Sequence, residues 1–405
     1  MTETNVIVGA GQAGGWAAMA MRDAGFAGRI LLIGEEPWQP YERPPLSKAM
    51  LVAAEEPPVV FFHDRGRYED QSIELKLNQA VAAIDPQNRN VELRDGGSIG
   101  YDRLLLTTGG RARPLPIPGG EHVVLLRSLE DSRHLRHLLG NAGHVVCIGA
   151  GVIGLEVASS ARKRGCEVTV LEATARPLGR AMSAEAAGFV QRLHERAGTK
   201  IRTSVAVEAI EKSSTGGYHV ICAGDEVIRA DLVIAGIGMQ RNVDLAAQAG
   251  LETDNGILVD EFGRTSVAGI FAAGDATAFF HPFYARRIRL ETWRHAQNHG
   301  IAVGKTMAGQ ETPYDDIPWF WTDQHGVNIQ IAGLPQDSVN TIVRVDETER
   351  FLSVHMAADN SLVSVTAAGS PRDIRAGTAL IRSRRALDPL LLADASVPLQ
   401  QVLRG

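Results

Sequence analysis

The chain has 405 residues, of which 44% are hydrophobic and 22% charged, the make-up of a globular protein with more than one core. A formal net charge of −6 and a pI near 6.1 exclude nucleic acid as a bulk electrostatic partner. No apolar run approaches the roughly 20 residues that cross a bilayer, and the start shows no basic and apolar secretion signal, so the expectation is a cytoplasmic protein without a membrane partner. Cys147, Cys166 and Cys222 are scattered without a CxxC pair, as expected of buried reduced thiols.

The first apolar run, Asn5-Val6-Ile7-Val8, leads into Gly9-Ala10-Gly11-Gln12-Ala13-Gly14 and then into a helix-compatible segment. A lone GxGxxG is weak evidence, but strand, glycine turn and helix together describe a dinucleotide site. Glycines let the turn tighten, let a pyrophosphate approach the backbone, and let helix and strand pack closely. The helix start then offers free N–H groups and partial positive charge to the diphosphate. Arg29-Ile30-Leu31-Leu32-Ile33-Gly34-Glu35 is the next strand, and Glu35 stands roughly 20–25 residues past the glycines, where a carboxylate accepts ribose hydroxyls.

Glu42-Arg43-Pro44-Pro45-Leu46-Ser47-Lys48 follows as a proline-stiffened loop presenting two cations, Arg43 and Lys48. A fixed cation stabilises negative charge on a reduced flavin or a diphosphate. Tyr101 to Gly110 reads as a buried strand running into a glycine turn, and Pro114 to Gly120 as a rigid, helix-hostile crossing between domains.

The pattern then repeats. His144-Val145-Val146-Cys147-Ile148 precedes Gly149-Ala150-Gly151-Val152-Ile153-Gly154, and Glu167 to Leu171 precedes Glu172. An acid at 172 favours the free 2′-hydroxyl of NADH, because a 2′-phosphate calls for arginine; Arg176 and Arg180 nearby leave phosphate contacts or NADPH open. Glu156, on the first turn of the second helix, either answers the helix dipole or faces the nicotinamide paired with Lys48. Two fingerprints in one chain suggest a flavin and a nicotinamide held together, with hydride passing between them.

Strand-like segments at 199–211, 218–222 and 227–234 come next, with a Ser-Ser-Thr-Gly-Gly hairpin signal between the first two. Asp231 to Gly238 is another buried strand ending in glycines, and Phe271-Ala272-Ala273-Gly274-Asp275 implies a return to the first domain. Asp275 suits a ribityl hydroxyl, a helix N-cap, or both. From about 317 alternating segments such as 327–331 and 341–345 suggest an antiparallel sheet, and 375–384 an amphipathic helix. The expected fold class is α/β, with two Rossmann-like dinucleotide-binding domains arranged as in glutathione reductase and a C-terminal α+β domain. The expected division is 1–112 with 232–316 for FAD, 113–231 for NADH and 317–405 for the C-terminal domain.

The two fingerprints, the string from Tyr41 to Lys48, Leu106 to Arg111, Ala273-Gly274-Asp275, Arg289 to Trp293, Pro318-Trp319-Phe320-Trp321-Thr322-Asp323-Gln324 and Ser396-Val397-Pro398-Leu399 span nearly the whole chain. In these strings the chain resembles the oxygenase-coupled, NADH-dependent ferredoxin reductases, of the putidaredoxin reductase and biphenyl dioxygenase ferredoxin reductase type. The resemblance implies a flavoprotein passing electrons from NADH through FAD to a [2Fe–2S] ferredoxin that serves a Rieske dioxygenase or a cytochrome P450. It implies FAD contacts from Ala13, Glu35, Arg43, Lys48, Val81, Arg127, Asp275 and Trp293. NADH would meet Gly151, Val152, Ile153, Glu156, Glu172, Arg180 and Gly236-Ile237-Gly238. Trp293 and Trp321 match aromatic positions near the flavin, with core packing the alternative. The family often has proline and asparagine after that last turn; here Arg241 departs from the pattern and puts the turn in doubt, while Asn242 keeps its place.

The basic cluster Arg286, Arg287, Arg289 with Arg294 either steers an acidic ferredoxin or is a solvated face. A disulfide or peroxide reductase needs a cysteine beside the flavin, and neither the first helix nor the segment 40–50 contains one. A redox-dependent flavoprotein of the apoptosis-inducing-factor type, without fast turnover, shares the fold and stays as the alternative. The expected oligomeric state is a monomer.

Overall fold

The computed structural model describes residues 3–345 and 350–404. The chain divides into two compact units, one of residues 1–42, 58–111 and 240–316, the other of 43–57, 112–239 and 317–405.

The first unit is built on a five-stranded parallel sheet in the order Ile270–Ala272, Arg103–Leu106, Thr4–Val8, Arg29–Ile33, Ile73–Lys76. Its central strand pairs Val6 with Leu31 on one side and with Leu104 on the other. Strands covered on both faces carry continuous apolar runs, and Val6, Ile7, Leu31, Leu32, Leu104 and Leu105 are fully buried. Ile270–Ala272 brings the chain back to this sheet at its edge. The first fingerprint helix, Gln12–Asp23, packs against the helix Trp293–Met307. Gly300 and Gly304 make that approach possible: a methyl on either would lie 2.3 Å from Ala13 O or 2.5 Å from Ala17 O.

The second unit holds a four-stranded parallel sheet in the order Lys200–Arg202, Glu167–Leu171, His144–Ile148, Leu232–Ala235. The second fingerprint helix, Val152–Lys163, follows its central strand. The expected strand 199–211 is two strands, Lys200–Arg202 and Val207–Lys212, because Ser204 takes a left-handed φ of 56° between them. The expected strand 227–234 is also two, Glu226–Ala230 and Leu232–Ala235. Asp231 separates them, its carboxylate accepting from the backbone N–H groups of Gly143 and His144 at 2.9 and 2.8 Å. The hairpin glycines Gly216 and Gly217 both have positive φ, as the turn requires.

The C-terminal segment is a five-stranded antiparallel sheet in the order Trp319–Gln324, Val327–Gly333, Leu362–Ala368, Phe351–Met356, Asn340–Val345. The helix Pro371–Ser383 packs on it, opened by a proline at its first position and stopped by Arg384 at φ 51°. It begins four residues before the expected 375. Phe189 stacks on Phe351 with ring centroids 5.0 Å apart, joining this sheet to the helix Ala184–Arg196 in one core.

Candidate functional site

The two glycine turns repeat one geometry. Gly9 and Gly149 have φ of +116° and +95°, a region L-residues rarely adopt. Gly14 and Gly154 lie so close to the preceding turn that a methyl group would sit 2.0 Å from Gly9 O and 2.1 Å from Gly149 O. The middle glycines differ: nothing lies within 4 Å of a methyl on Gly11, and only Gly236 O, at 3.4 Å, meets one on Gly151.

Both fingerprint helices start on these middle glycines, with no side-chain cap and no acid in the first turn; Glu156, expected on that turn, lies just past it, four residues after Val152. The helices Leu129–Leu139, Ala184–Arg196 and Trp293–Met307 are instead capped by Ser128, Ser183 and Thr292. Uncapped N–H groups behind an open glycine fit a diphosphate, and the donor set therefore suits a dinucleotide at each turn.

In the first unit, Ala13 is buried on the fingerprint helix and Val81 opens the strand Val81–Asp85. Glu35 ends the second strand's extension, 72% exposed, and pairs with Arg94 at 3.3 Å. Asp275 lies in the short turn of 3₁₀ helix Gly274–Ala276. Trp293 donates its indole N–H to the Glu42 carboxylate, a partner not singled out from the sequence. Burial raises the Glu42 carboxyl above its ordinary value, and the indole hydrogen bond offsets part of that rise. The doubt over Arg241 resolves: its guanidinium bonds Glu291 and, at 2.6 Å, Asn255 Oδ1. Asn242 holds the turn through Thr108 O at 3.0 Å and receives Thr108 Oγ1 on its own carbonyl at 2.6 Å.

In the second unit, the loop Arg43 to Lys48 is clamped from two helices. Ser132 Oγ donates to Leu46 O and Ser160 Oγ to Ser47 O, each at 2.7 Å. Arg136 reaches Met50 O and Ala53 O at 2.8 Å, and Arg43 Nη1 donates to Arg127 O, also at 2.8 Å. The arginine 127 that the resemblance named therefore lies beside Arg43.

Lys48 Nζ and Glu156 Oε2 form an ion pair at 2.9 Å. Glu156 is 3% exposed and accepts twice more, from Ser47 Oγ and, at 2.6 Å, from Thr322 Oγ1. Three donors satisfy a carboxylate that burial alone would make costly. Ser47 and Thr322 were not candidates from the sequence; the Ser47-Lys48 and Thr322-containing strings were visible, but not that they meet Glu156.

Val152 and Ile153 open the second fingerprint helix, and Ile153 is 45% exposed despite being apolar. Glu172 accepts from Ala150 N at 2.8 Å inside the glycine turn, and from Thr174 N and Oγ1 at 2.9 and 2.7 Å. Gly236 packs on Gly154, where a methyl would meet its Cα at 2.9 Å. Gly238 has φ +111° with the Arg180 guanidinium beside it. Arg176 is spent on its own loop, donating to Met182 O and Gly179 O, so Arg180 alone of that pair stays by the turn. Trp321 is partly buried and stacks on Trp319, centroids 5.3 Å apart.

The three cysteines are free and buried. Burial pushes the Cys147 thiol up to about 12 and raises Cys166 and Cys222 as well, so none offers a thiolate. Among the described residues no group of His, Cys, Asp and Glu is arranged to hold a metal, and no helix is long and apolar enough to cross a membrane.

Residues 4–300 match the model of the pyridine nucleotide-disulphide oxidoreductases, and 319–403 match a reductase C-terminal domain. Rhodocoxin reductase of Rhodococcus erythropolis is 37% identical over 98% of this chain and 93% of its own. The ferredoxin–NAD(+) reductase component of the anthranilate 1,2-dioxygenase system of Burkholderia cepacia is 37% identical over 98% of both chains. The putidaredoxin reductase chain in the covalent putidaredoxin reductase–putidaredoxin complex superposes with a TM-score of 0.93 at 35% identity, over 99% of this chain and 98% of that one. The fold class expected from the sequence is the one observed. The chain thus belongs to the pyridine nucleotide-disulphide oxidoreductase family, among relatives named as the ferredoxin reductases that its motifs resemble.

Proposed function

We propose that the chain is an FAD-dependent ferredoxin reductase, taking electrons from NADH and delivering them to a [2Fe–2S] ferredoxin that serves a Rieske dioxygenase or a cytochrome P450. The observation that carries this reading is the pair of glycine turns, each with an uncapped helix start and space before its middle glycine. When bound, FAD supplies the exchange between a two-electron hydride donor and a one-electron acceptor, which no side chain provides.

The residues proposed to hold FAD are Gly9, Gly11, Ala13, Gly14, Glu35, Val81, Asp275 and Trp293, with Arg43, Lys48 and Arg127. NADH would be admitted at Gly149, Gly151, Val152, Ile153 and Gly154, with Glu156, Glu172, Arg180, Gly236 and Gly238. Glu172 would take the ribose hydroxyls, its negative charge disfavouring a 2′-phosphate. Lys48 and Glu156 are the proposed catalytic pair. Glu156 fixes the Lys48 ammonium in place through their ion pair, and the fixed cation would stabilise negative charge without itself transferring a proton. No thiol takes part, which separates the reading from disulfide reduction.

The expected division of 1–112 with 232–316, 113–231 and 317–405 needs correction at two places: Leu232–Ala235 pairs with His144–Ile148 in the second unit's sheet, which moves the boundary from 232 to about 240, and residues 43–57 group with the second unit. The ferredoxin is proposed to be acidic, attracted by Arg286, Arg287, Arg289 and Arg294, all four exposed. The protein is proposed to act as a monomer in the cytoplasm, where its buried thiols stay reduced.

An anaerobic NADH titration of the flavin absorbance tests donor and acceptor together. NADH should bleach the flavin, and added [2Fe–2S] ferredoxin should restore it over repeated turnovers. Bleaching that no [2Fe–2S] ferredoxin reverses would instead support the slow, redox-dependent flavoprotein.

A further inference from the structure

A chain of hydrogen bonds leads from Glu156 through the interior of the second unit to a partly exposed histidine. Thr322 Oγ1 donates to Glu156 Oε1 at 2.6 Å, and Gln324 Nε2 donates to Thr322 Oγ1 at 2.8 Å. The other end of the same amide, Gln324 Oε1, faces His194 Nε2 at 2.9 Å. His194 Nδ1 in turn faces His325 Nε2 at 3.1 Å. Thr322, Gln324 and His194 are fully buried. His325 reaches the surface, with its backbone N–H anchored on Ser159 Oγ at 3.0 Å.

Each link has only one orientation once Glu156 is ionised. A carboxylate accepts and cannot donate, so the Thr322 hydroxyl must point at Glu156. Its lone pair then takes the Gln324 N–H, which leaves the Gln324 carbonyl facing His194. His194 Nε2 must therefore carry the hydrogen. Burial holds His194 neutral, pushed down to about 4, so Nδ1 is bare and needs a donor. His325 Nε2–H supplies it. The groups that face this pair are cationic: Lys163 and Arg162 lower His325, and His325 lowers His194. Because an amide does not hand a proton along, Gln324 makes the chain one that orients rather than conducts.

We propose that Thr322, Gln324, His194 and His325 are positioning residues whose one-way row of donors keeps the Glu156 carboxylate aimed at Lys48. This rests on the reading that the Lys48–Glu156 pair serves reduction by NADH. The row also explains why the strand Trp319–Gln324 alternates Thr322 and Gln324 inward as polar side chains at positions where a core would take apolar ones.

The test uses the flavin-loaded full-length protein with ¹⁵N-labelled histidine, read by long-range proton–nitrogen NMR. His194 and His325 should both be Nε2–H tautomers, and His194 should not titrate over roughly pH 5–8. Gln324→Glu, nearly isosteric, adds a carboxylate that competes for the Thr322 hydroxyl and attracts a proton to His194. His194 should then titrate in the neutral range, and flavin reduction by NADH should slow by about tenfold, the scale of one lost hydrogen bond to a buried charge. Thr322→Val should slow it similarly, and Thr322→Ser should restore it. An Nδ1–H tautomer of His194 would overturn the proposal. So would a Gln324→Glu protein whose reduction rate and His194 titration are unchanged. If Lys48→Ala slows reduction while Thr322→Val and Gln324→Glu do not, this proposal fails alone; if Lys48→Ala is also without effect, the reading beneath it fails.

Discussion

Gly14 stands so close to Gly9 that a methyl group on it would lie 2.0 Å from the Gly9 carbonyl oxygen, while one on Gly11, three positions earlier, would touch nothing within 4 Å. The two glycines of one motif therefore meet different surroundings, tight packing at Gly14 and open space at Gly11, where the proposed function puts the diphosphate. Gly14→Ala should destabilise the fold itself, by about 1–3 kcal/mol as for overpacked cores, or prevent soluble expression. Gly11→Ala should fold normally in far-ultraviolet circular dichroism but retain markedly less flavin after purification. Equal flavin content in Gly11→Ala and the wild type would remove Gly11 from the diphosphate site.

Glu172 ties its carboxylate to the backbone of the second turn at Ala150; in the proposed NADH site that carboxylate takes the ribose hydroxyls and disfavours a 2′-phosphate. Glu172→Ala should raise the KM for NADH by about tenfold, one charged hydrogen bond's worth. The same change should leave NADPH unharmed or improved, so the preference between the two narrows. Steady-state kinetics with both nucleotides decide it, and an unchanged ratio of kcat/KM would assign Glu172 to loop structure alone.

Buried neutral histidines make the fold sensitive to acid. Burial pushes His194 down to about 4 and His295 to about 3 from an ordinary 6.5, and lowers His299 as well. Unfolded imidazoles bind protons first as pH falls, so unfolding takes up protons in this window. The stabilisation is complete above pH 6.5 and is lost progressively as pH drops toward the folded values, with His194 alone contributing roughly 3 kcal/mol across it. His295→Phe, beside the stacked Phe279, should flatten the fall of Tm between those limits even if it lowers Tm at neutral pH through loss of the Tyr314 partner. A slope identical to the wild type would mean His295 is not neutral in the folded protein.

Arg286, Arg287 and Arg289 are all exposed on and beside the short strand Arg286–Ile288; Arg287 donates to the carbonyls of Val259 and Ala278, Arg289 to Asn255 Oδ1 at 2.9 Å, and Arg286 lies over the Tyr284 ring. Arg286 and Arg289 are the pair chosen to test steering of an acidic ferredoxin. Arg286→Glu with Arg289→Glu should raise the KM for ferredoxin by about tenfold at low salt and flatten its dependence on ionic strength. Turnover with a small uncharged electron acceptor should not change. Ferredoxin reduction that is insensitive to salt in the wild type would mark the cluster as a solvated face.

Local pattern made much of this protein legible. Strand, glycine turn, helix and terminal acid occur within some thirty residues, so both strand–turn–helix units could be read directly from Gly9 to Glu35 and from Gly149 to Glu172. Strand limits were less legible: 199–211 is interrupted at Ser204 and 227–234 at Asp231, single residues whose backbone or carboxylate serves a neighbouring segment. Arg241 looked disruptive in isolation and is accommodated by Glu291, 50 positions away.

By itself the sequence determined the two glycine turns between strand and helix and the acids that follow their second strands, because each depends on residues near one another in the chain. Only the tertiary structure decided which donors surround Glu156. Its donors Ser47, Lys48 and Thr322 lie 109, 108 and 166 positions away, and the row behind Thr322 draws on yet another helix at His194. A buried carboxylate is stable only when donors surround it, and donors that remote converge only after the chain has folded.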